Sequence, residues 1–324
     1  MLTNANDISL RIRNGERLFL AGEEEVLLSL PAGQWIGGTI PYFMASQGGV
    51  VSRESIFATE VPPEVVDCEI VVHDVASLPG ICTEAPENGF TVLILPATSQ
   101  VHLEYAKMAP DYDEMFMKPL IGWIAGTHLD DLGRKSPKVV DGRTVTAHPD
   151  KAVALHATLP AGKVAQVGIL NLFLQGTGDV LSFPESGFEV GDCIVDGARR
   201  NFARYLAQKK IDTRLPLVAD YNGALVNVSF QSVDAEKGLV ALYAPVFRGV
   251  PYRIAEPVEN YVESFDSALP KGLDIKFSCN CILNFLYSEL EGKTTRGVTG
   301  PVTFGEIAYQ LLNQTMVYLT IQDA

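Results

Sequence analysis

Apolar residues recur with a period of two along much of the chain, in short runs bounded by glycine, proline and acidic turn residues. SIFATEV, CEIVVHDV, FTVLILPA, KAVALHATL and VAQVGILNLF are predicted strands, and FTVLIL is a continuous apolar run of the kind buried on both faces. LVADYNGALVNVSFQSV, LVALYAPVF, LDIKFS and TMVYLTI extend the β pattern through the second half.

Helical spacing is sparser. Asp7 is placed to cap ISLRIRN, with Gly15 as its stop, and GEEEVLLSL predicts a short helix ended by Pro31 and Gly33. QVHLEYAKMAPDYDEMF carries helical signals that Pro110 breaks in two. GARRNFARYLAQKK predicts a helix with Phe202, Tyr205 and Leu206 inward and Arg199 and Arg200 on its solvated face. PVENYVESFDSAL predicts another, with Pro257 in its first turn. After LDIKFS, Asn280 caps an expected helix whose apolar face holds Ile282, Leu283, Leu286 and Leu290. In GPVTFGEIAYQLLNQT, Thr303 and Glu306 form a capping-box pattern. Phe304, Ile307, Ala308, Leu311 and Leu312 then follow at helical spacing. The expected class is α/β, with α+β as the alternative: two lobes, 1–205 and 206–324, built of mixed sheets flanked by helices, with KIDTRLP as a hinge.

Composition narrows the function classes. The 324 residues hold 25 basic and 39 acidic side chains, a net charge of −14. Such a surface repels phosphate backbones and anionic headgroups, so neither nucleic acid nor membrane is an expected partner. MLTNANDISLRIRNGERL lacks the basic-then-apolar order of a secretory leader, and VGILNLFL is too short to span a bilayer. Five scattered cysteines fit free thiols better than a disulfide frame. The expectation is a soluble, cytoplasmic protein.

Cys279 and Cys281 stand at a strand-to-helix junction, where a thiolate is stabilised by the helix N-terminus. Four readings rank in order: tight packing, a ligand-pocket wall, a nucleophile, a metal ligand. A nucleophile needs a base, yet His73, His102, His128, His148 and His156 all lie in the first half, and mid-strand His156 reads as a satisfied structural histidine. A lone C-x-C lacks the second ligand pair of a zinc site, so no metal is expected. Gly37 and Gly38 permit close backbone approach, and Thr39 adds a hydroxyl. Asp220, Asn222 and Asn227 place polar groups in an apolar strand pair, although Asn222-Gly223 also reads as a plain hairpin turn. GTGD at 176–179 reads as a loop before an anion cradle, and Arg253 is either a carboxylate grip or a solvated strand charge.

FSCNC, GPVTFGEI and NQTMVYL together resemble the end of FIST domains, with ADYNGALVNVSF fitting the opening of the C-terminal half and QWIGGTIPYFM and PLIGWIAGT the N-terminal half. Two features depart from the family pattern: Asn280, Cys281 and Ile282 stand where an arginine commonly follows the Ser-Cys pair, and the segment after GEI is compressed to AYQLL. The resemblance implies a sensory module for a small, amino-acid-like ligand, without catalysis, passing its signal to a separate protein. The candidate ligand contacts, from the residue types, are Gly38, Thr39, Asp220, Asn222, Asn227 and Arg253, together with Cys279, Asn280, Cys281, Thr303 and Glu306. Some FIST members bind haem; this sequence has no C-x-x-C-H attachment motif, and no cofactor is expected. The alternative is a thiol-dependent hydrolase or amidase using Cys279 or Cys281.

Overall fold

In the computed structural model, which describes residues 1–324, the period-two runs become strands: Ile56–Glu60, Asp67–His73, Gly89–Pro96, Ala152–Thr158, Lys163–Asn171 and Thr315–Asp323. The class is mixed α/β, with 43% of residues in strands and 16% in helices. Two compact units divide the chain. One comprises Met1–Leu170, Leu269–Leu311 and Met316–Ala324; the other comprises Asn171–Ala268 and Leu312–Thr315. Both are discontinuous in sequence, whereas the expected lobes were two continuous stretches.

Three six-stranded sheets build the larger unit, and each contains one parallel pair joined by a helix. Leu18–Gly22 runs parallel to Trp35–Thr39 across the helix Glu24–Leu27. Gly89–Pro96 runs parallel to Leu120–Ala125 across Gln100–Met108, and Ile275–Cys281 parallel to Gly300–Thr303 across Ile282–Tyr287. Parallel neighbours cannot be joined by a tight hairpin, which is why the few helices fall between these pairs. The first helix, Ala5–Arg13, buries Ile8 and Ile12 on a core with Leu18, Leu20, Leu27 and Trp35. Its cap is Asn4 rather than Asp7: the Asn4 side chain accepts from the backbone N–H of Asn6 and Asp7.

The smaller unit holds a six-stranded antiparallel sheet and a three-stranded one. Its hairpin Leu217–Tyr221/Ala224–Val228 turns at Asn222-Gly223, both with positive φ, as a two-residue turn requires.

Four local expectations are corrected. Ala198–Asn201 is a strand and the helix begins only at Phe202, so the exposed Arg199 and Arg200 are strand residues. Asn201 is the cap, accepting from the Arg204 N–H. The helix Tyr261–Ala268 starts four residues after Pro257. Asn280 lies inside the Ile275–Cys281 strand, and the helix after it runs only to Tyr287. The GPVTFGEIAYQLL segment is not a helix but three strands, Gly300–Thr303, Glu306–Ala308 and Gln310–Leu312. Its first two strands are fully buried, so no period-two exposure marks them.

Candidate functional site

Alternation along Ile275–Cys281 sends successive side chains to opposite faces of the sheet. Phe277 and Cys279 point into the larger unit's core: Phe277 stacks on Trp123 with ring centroids 5.7 Å apart, and the Cys279 thiol donates to the Gly122 carbonyl at 3.3 Å. Burial pushes that thiol well above its ordinary range; the Glu306 carboxylate adds to the effect and the Thr303 hydroxyl opposes it. A thiol so placed is a packing group and a hydrogen-bond donor, not a ready thiolate.

Ser278, on the other face, lines two adjoining clefts together with Ile275 and Thr299. Its hydroxyl donates to the Thr299 carbonyl at 2.9 Å, which ties the strand to the loop opposite. The first cleft, about 250 Å3, is also lined by Arg11, Glu60 and Lys276. Its cations are matched by acids: Lys276 lies 2.8 Å from Glu64 and 3.0 Å from Asp274, and Arg11 lies 2.6 Å from Glu16. The bond to Lys276 holds the Glu64 carboxyl below its ordinary range, and Glu64 in turn raises Lys276.

The second cleft, about 330 Å3, has a different character. Lys271 and Arg296 line it and no carboxylate does, in a chain with a net charge of −14. Arg296 is the first central residue of a tight turn: it and Gly297 both have positive φ, and the Val298 N–H closes the turn on the Thr295 carbonyl at 2.8 Å. That is the type I′ geometry, which fixes the direction in which the arginine leaves the backbone. Its guanidinium donates to the Leu269 carbonyl at 3.3 Å on the facing segment. Leu269 to Leu273, with Gly272 at φ 74°, forms the other wall.

The residues singled out in the sequence separate into two groups. Gly38, Thr39, Cys279, Asn280, Cys281, Thr303 and Glu306 belong to the larger unit and are all buried. They are joined by internal bonds. The Thr39 hydroxyl donates to the Gly126 carbonyl at 2.8 Å and accepts from the Lys138 N–H. The Asn280 side chain accepts from the Cys281 N–H and from the Asn284 amide at 3.0 Å, close against the start of the helix it was expected to cap. The Thr303 hydroxyl lies 3.0 Å from the Gly305 carbonyl and 3.3 Å from that of Asn280. Glu306, expected as a cap or a ligand carboxylate, lies in a strand opposite Trp123.

Asp220, Asn222, Asn227 and Arg253 belong to the smaller unit. Exposed Asp220 and Asn222 make only the hairpin turn, with the Asp220 carboxylate accepting from the Gly223 N–H at 2.5 Å. Asn227 is fully buried and bonded to Asn171 and to the Asn313 carbonyl. Arg253 donates to the Gly178 carbonyl, and neighbouring Asp179 pairs with Lys209 and Tyr205, so the GTGD loop serves internal contacts. None of the residues that line the clefts was singled out. Ser278 stood inside a quoted motif, but nothing in the sequence brings residues 269–273 and 296–299 together.

A model of a family of unknown function, DUF6976, matches residues 3–322, and the chain belongs to that family. No curated protein matches it. No helix is long and apolar enough to cross a membrane.

Proposed function

We propose that this protein is a cytoplasmic binding protein for a small anionic metabolite, without catalysis of its own, and that it serves as a sensory module of the kind implied by its resemblance to FIST domains. The observation that carries the reading is the cleft between Leu269–Leu273 and Arg296–Thr299, lined by two cations and no carboxylate in a strongly acidic chain. A cation of fixed direction, a second one beside it and apolar walls from Leu269, Ile275 and Val298 are the mix by which small-molecule sites orient a charged group. The volume is near the lower end of the range of about 300–1,000 Å3 usual for such sites, which favours a ligand of amino-acid or small dicarboxylate size.

The thiol-dependent hydrolase reading has less support at Cys279. Cys279 is buried, its thiol is held protonated, and its hydrogen bond goes to a main-chain carbonyl rather than a base. Any signal would leave through a separate partner protein.

Thermal unfolding across a panel of amino acids, dicarboxylates and phosphate esters tests the proposal. One anionic class is expected to raise the Tm of the wild type saturably, by several degrees at about 100 times Kd. Half-buried Thr299 lines both clefts, so Thr299→Trp fills them and is expected to abolish the response while unfolding near the wild-type temperature. A wild type indifferent to the whole panel, or a Thr299→Trp variant that responds equally, would overturn it.

A further inference from the structure

His73 ends the Asp67–His73 strand and His156 lies in the adjacent antiparallel strand Ala152–Thr158. Both are buried, at 1% and 4% exposure, in the same sheet of the larger unit. Their rings meet edge to face with centroids 6.5 Å apart. Nε2 of His156 makes no hydrogen bond, and the ring nitrogens of His73 make none of good geometry, the Ser77 backbone being the polar group nearest to them. Imidazole nitrogens so poorly satisfied in one buried spot are unusual, since an unsatisfied polar atom costs about 1–3 kcal/mol. The Glu84 carboxylate closes the group, 4.0 Å from His73 Nε2. One ligand atom from each of the three side chains lies within 4.8 Å of the others.

We propose that His73, His156 and Glu84 form a binding site for a divalent transition-metal ion of the zinc class. A triangle with sides of at most 4.8 Å has its centre no more than about 2.8 Å from each corner, against bond lengths of about 2.0–2.2 Å from zinc to imidazole nitrogen or carboxylate oxygen. Inward movement of about 0.7 Å per ligand closes the difference, and Glu84, whose side chain is 49% exposed on a loop, is the ligand with room to move.

The surroundings suit that role. The Thr91 hydroxyl lies 2.8 Å from His156 Nδ1, directly across the strand pair, and a bond there fixes the ring and leaves Nε2 as the ligand atom. The one opposing charge is Lys118, held by Glu114 at 3.0 Å and Glu87 at 3.4 Å. Two imidazoles and one carboxylate leave a tetrahedral ion one open position.

The test is calorimetric titration of chelator-treated protein with Zn2+, with visible spectra of a Co2+ titration beside it. The wild type is expected to bind one equivalent per chain, with the absorption of a four- or five-coordinate Co2+ site. Glu84→Gln, an exposed change that leaves the core untouched, is expected to weaken binding at least ten-fold, and His73→Gln to abolish it. His148→Gln, outside the group, is expected to bind as the wild type does. If His73→Gln does not fold, Glu84→Gln still decides. Absence of one-to-one binding in the wild type, meaning that the site holds only water, or equal affinity in Glu84→Gln, would overturn the proposal.

Discussion

Gly38 shows how closely the sheets of the larger unit approach each other. A Cβ added there would lie 2.8 Å from Ile94 Cγ2, 2.8 Å from Trp123 Nε1 and 3.3 Å from Ala125 Cβ, while its φ is ordinary for a strand. The sequence marks the glycine as permitting close backbone approach, and what lies close to it here is side chains of the facing sheet. Gly38→Ala is expected to destabilise the protein by about 1–3 kcal/mol in urea unfolding, the usual cost of overpacking a core. A stability unchanged by the substitution would mean that the sheets separate easily there. At the same scale, in the metal-free protein burial holds His102 and His156 neutral, each with a folded-state pKa near 4 against an ordinary 6.5. Between those values the unfolded chain binds the protons and the folded chain does not, so stability is full above about pH 6.5 and falls as pH drops towards 4. Each histidine contributes on the order of 3 kcal/mol to that fall. The urea midpoint is expected to drop steeply over this window, and less steeply in His102→Gln; a midpoint level from pH 7 to 4.5 would contradict the assignment.

Among the elements, the strands were legible and the segment Gly300–Leu312 was not. In FTVLIL the apolar run, the β-branched residues and the flanking turn signals agree, and the strand Gly89–Pro96 forms as read. In GPVTFGEIAYQLL, apolar residues at helical spacing and a Thr-x-x-Glu pair describe a helix equally well. The outcome is decided by partners distant in sequence, Phe43 and Met44 on one strand and Ile121 to Trp123 on another. Helix Ile282–Tyr287 stops short of its expected face because Glu289 takes positive φ and Leu290 turns back to bond Phe285. In the smaller unit, Asn227 was legible as a special residue but not as a structural one. It binds Asn171 twice and the Asn313 carbonyl, joining the Ala224–Val228 strand to the Leu312–Thr315 segment. Asn227→Ala leaves those buried groups unpaired and is expected to cost about 2–4 kcal/mol with no change in ligand response. A variant of wild-type stability that no longer responds to ligand would return Asn227 to the binding site.

At the scale of the whole molecule, long-range assembly hid both the division into units and the sites from a linear reading. Residues 171–268 are set between segments of the larger unit, with no change of composition at either junction to mark them. The cleft unites the Leu269–Leu273 segment with a turn more than twenty residues on, and the histidine group unites positions 73 and 156 on neighbouring strands with position 84 on a loop, so neither leaves a local motif. What the sequence did offer was the acidic balance of the chain, against which a cleft lined by two cations stands out. The measurement that tests the binding role most directly is native mass spectrometry of freshly purified wild type and Thr299→Trp, each compared with its denatured mass, in the presence of the stabilising anion class. The wild type is expected to carry one noncovalent anionic ligand per chain and the variant none. The same adduct on both proteins, or a bare wild-type chain, would contradict the account.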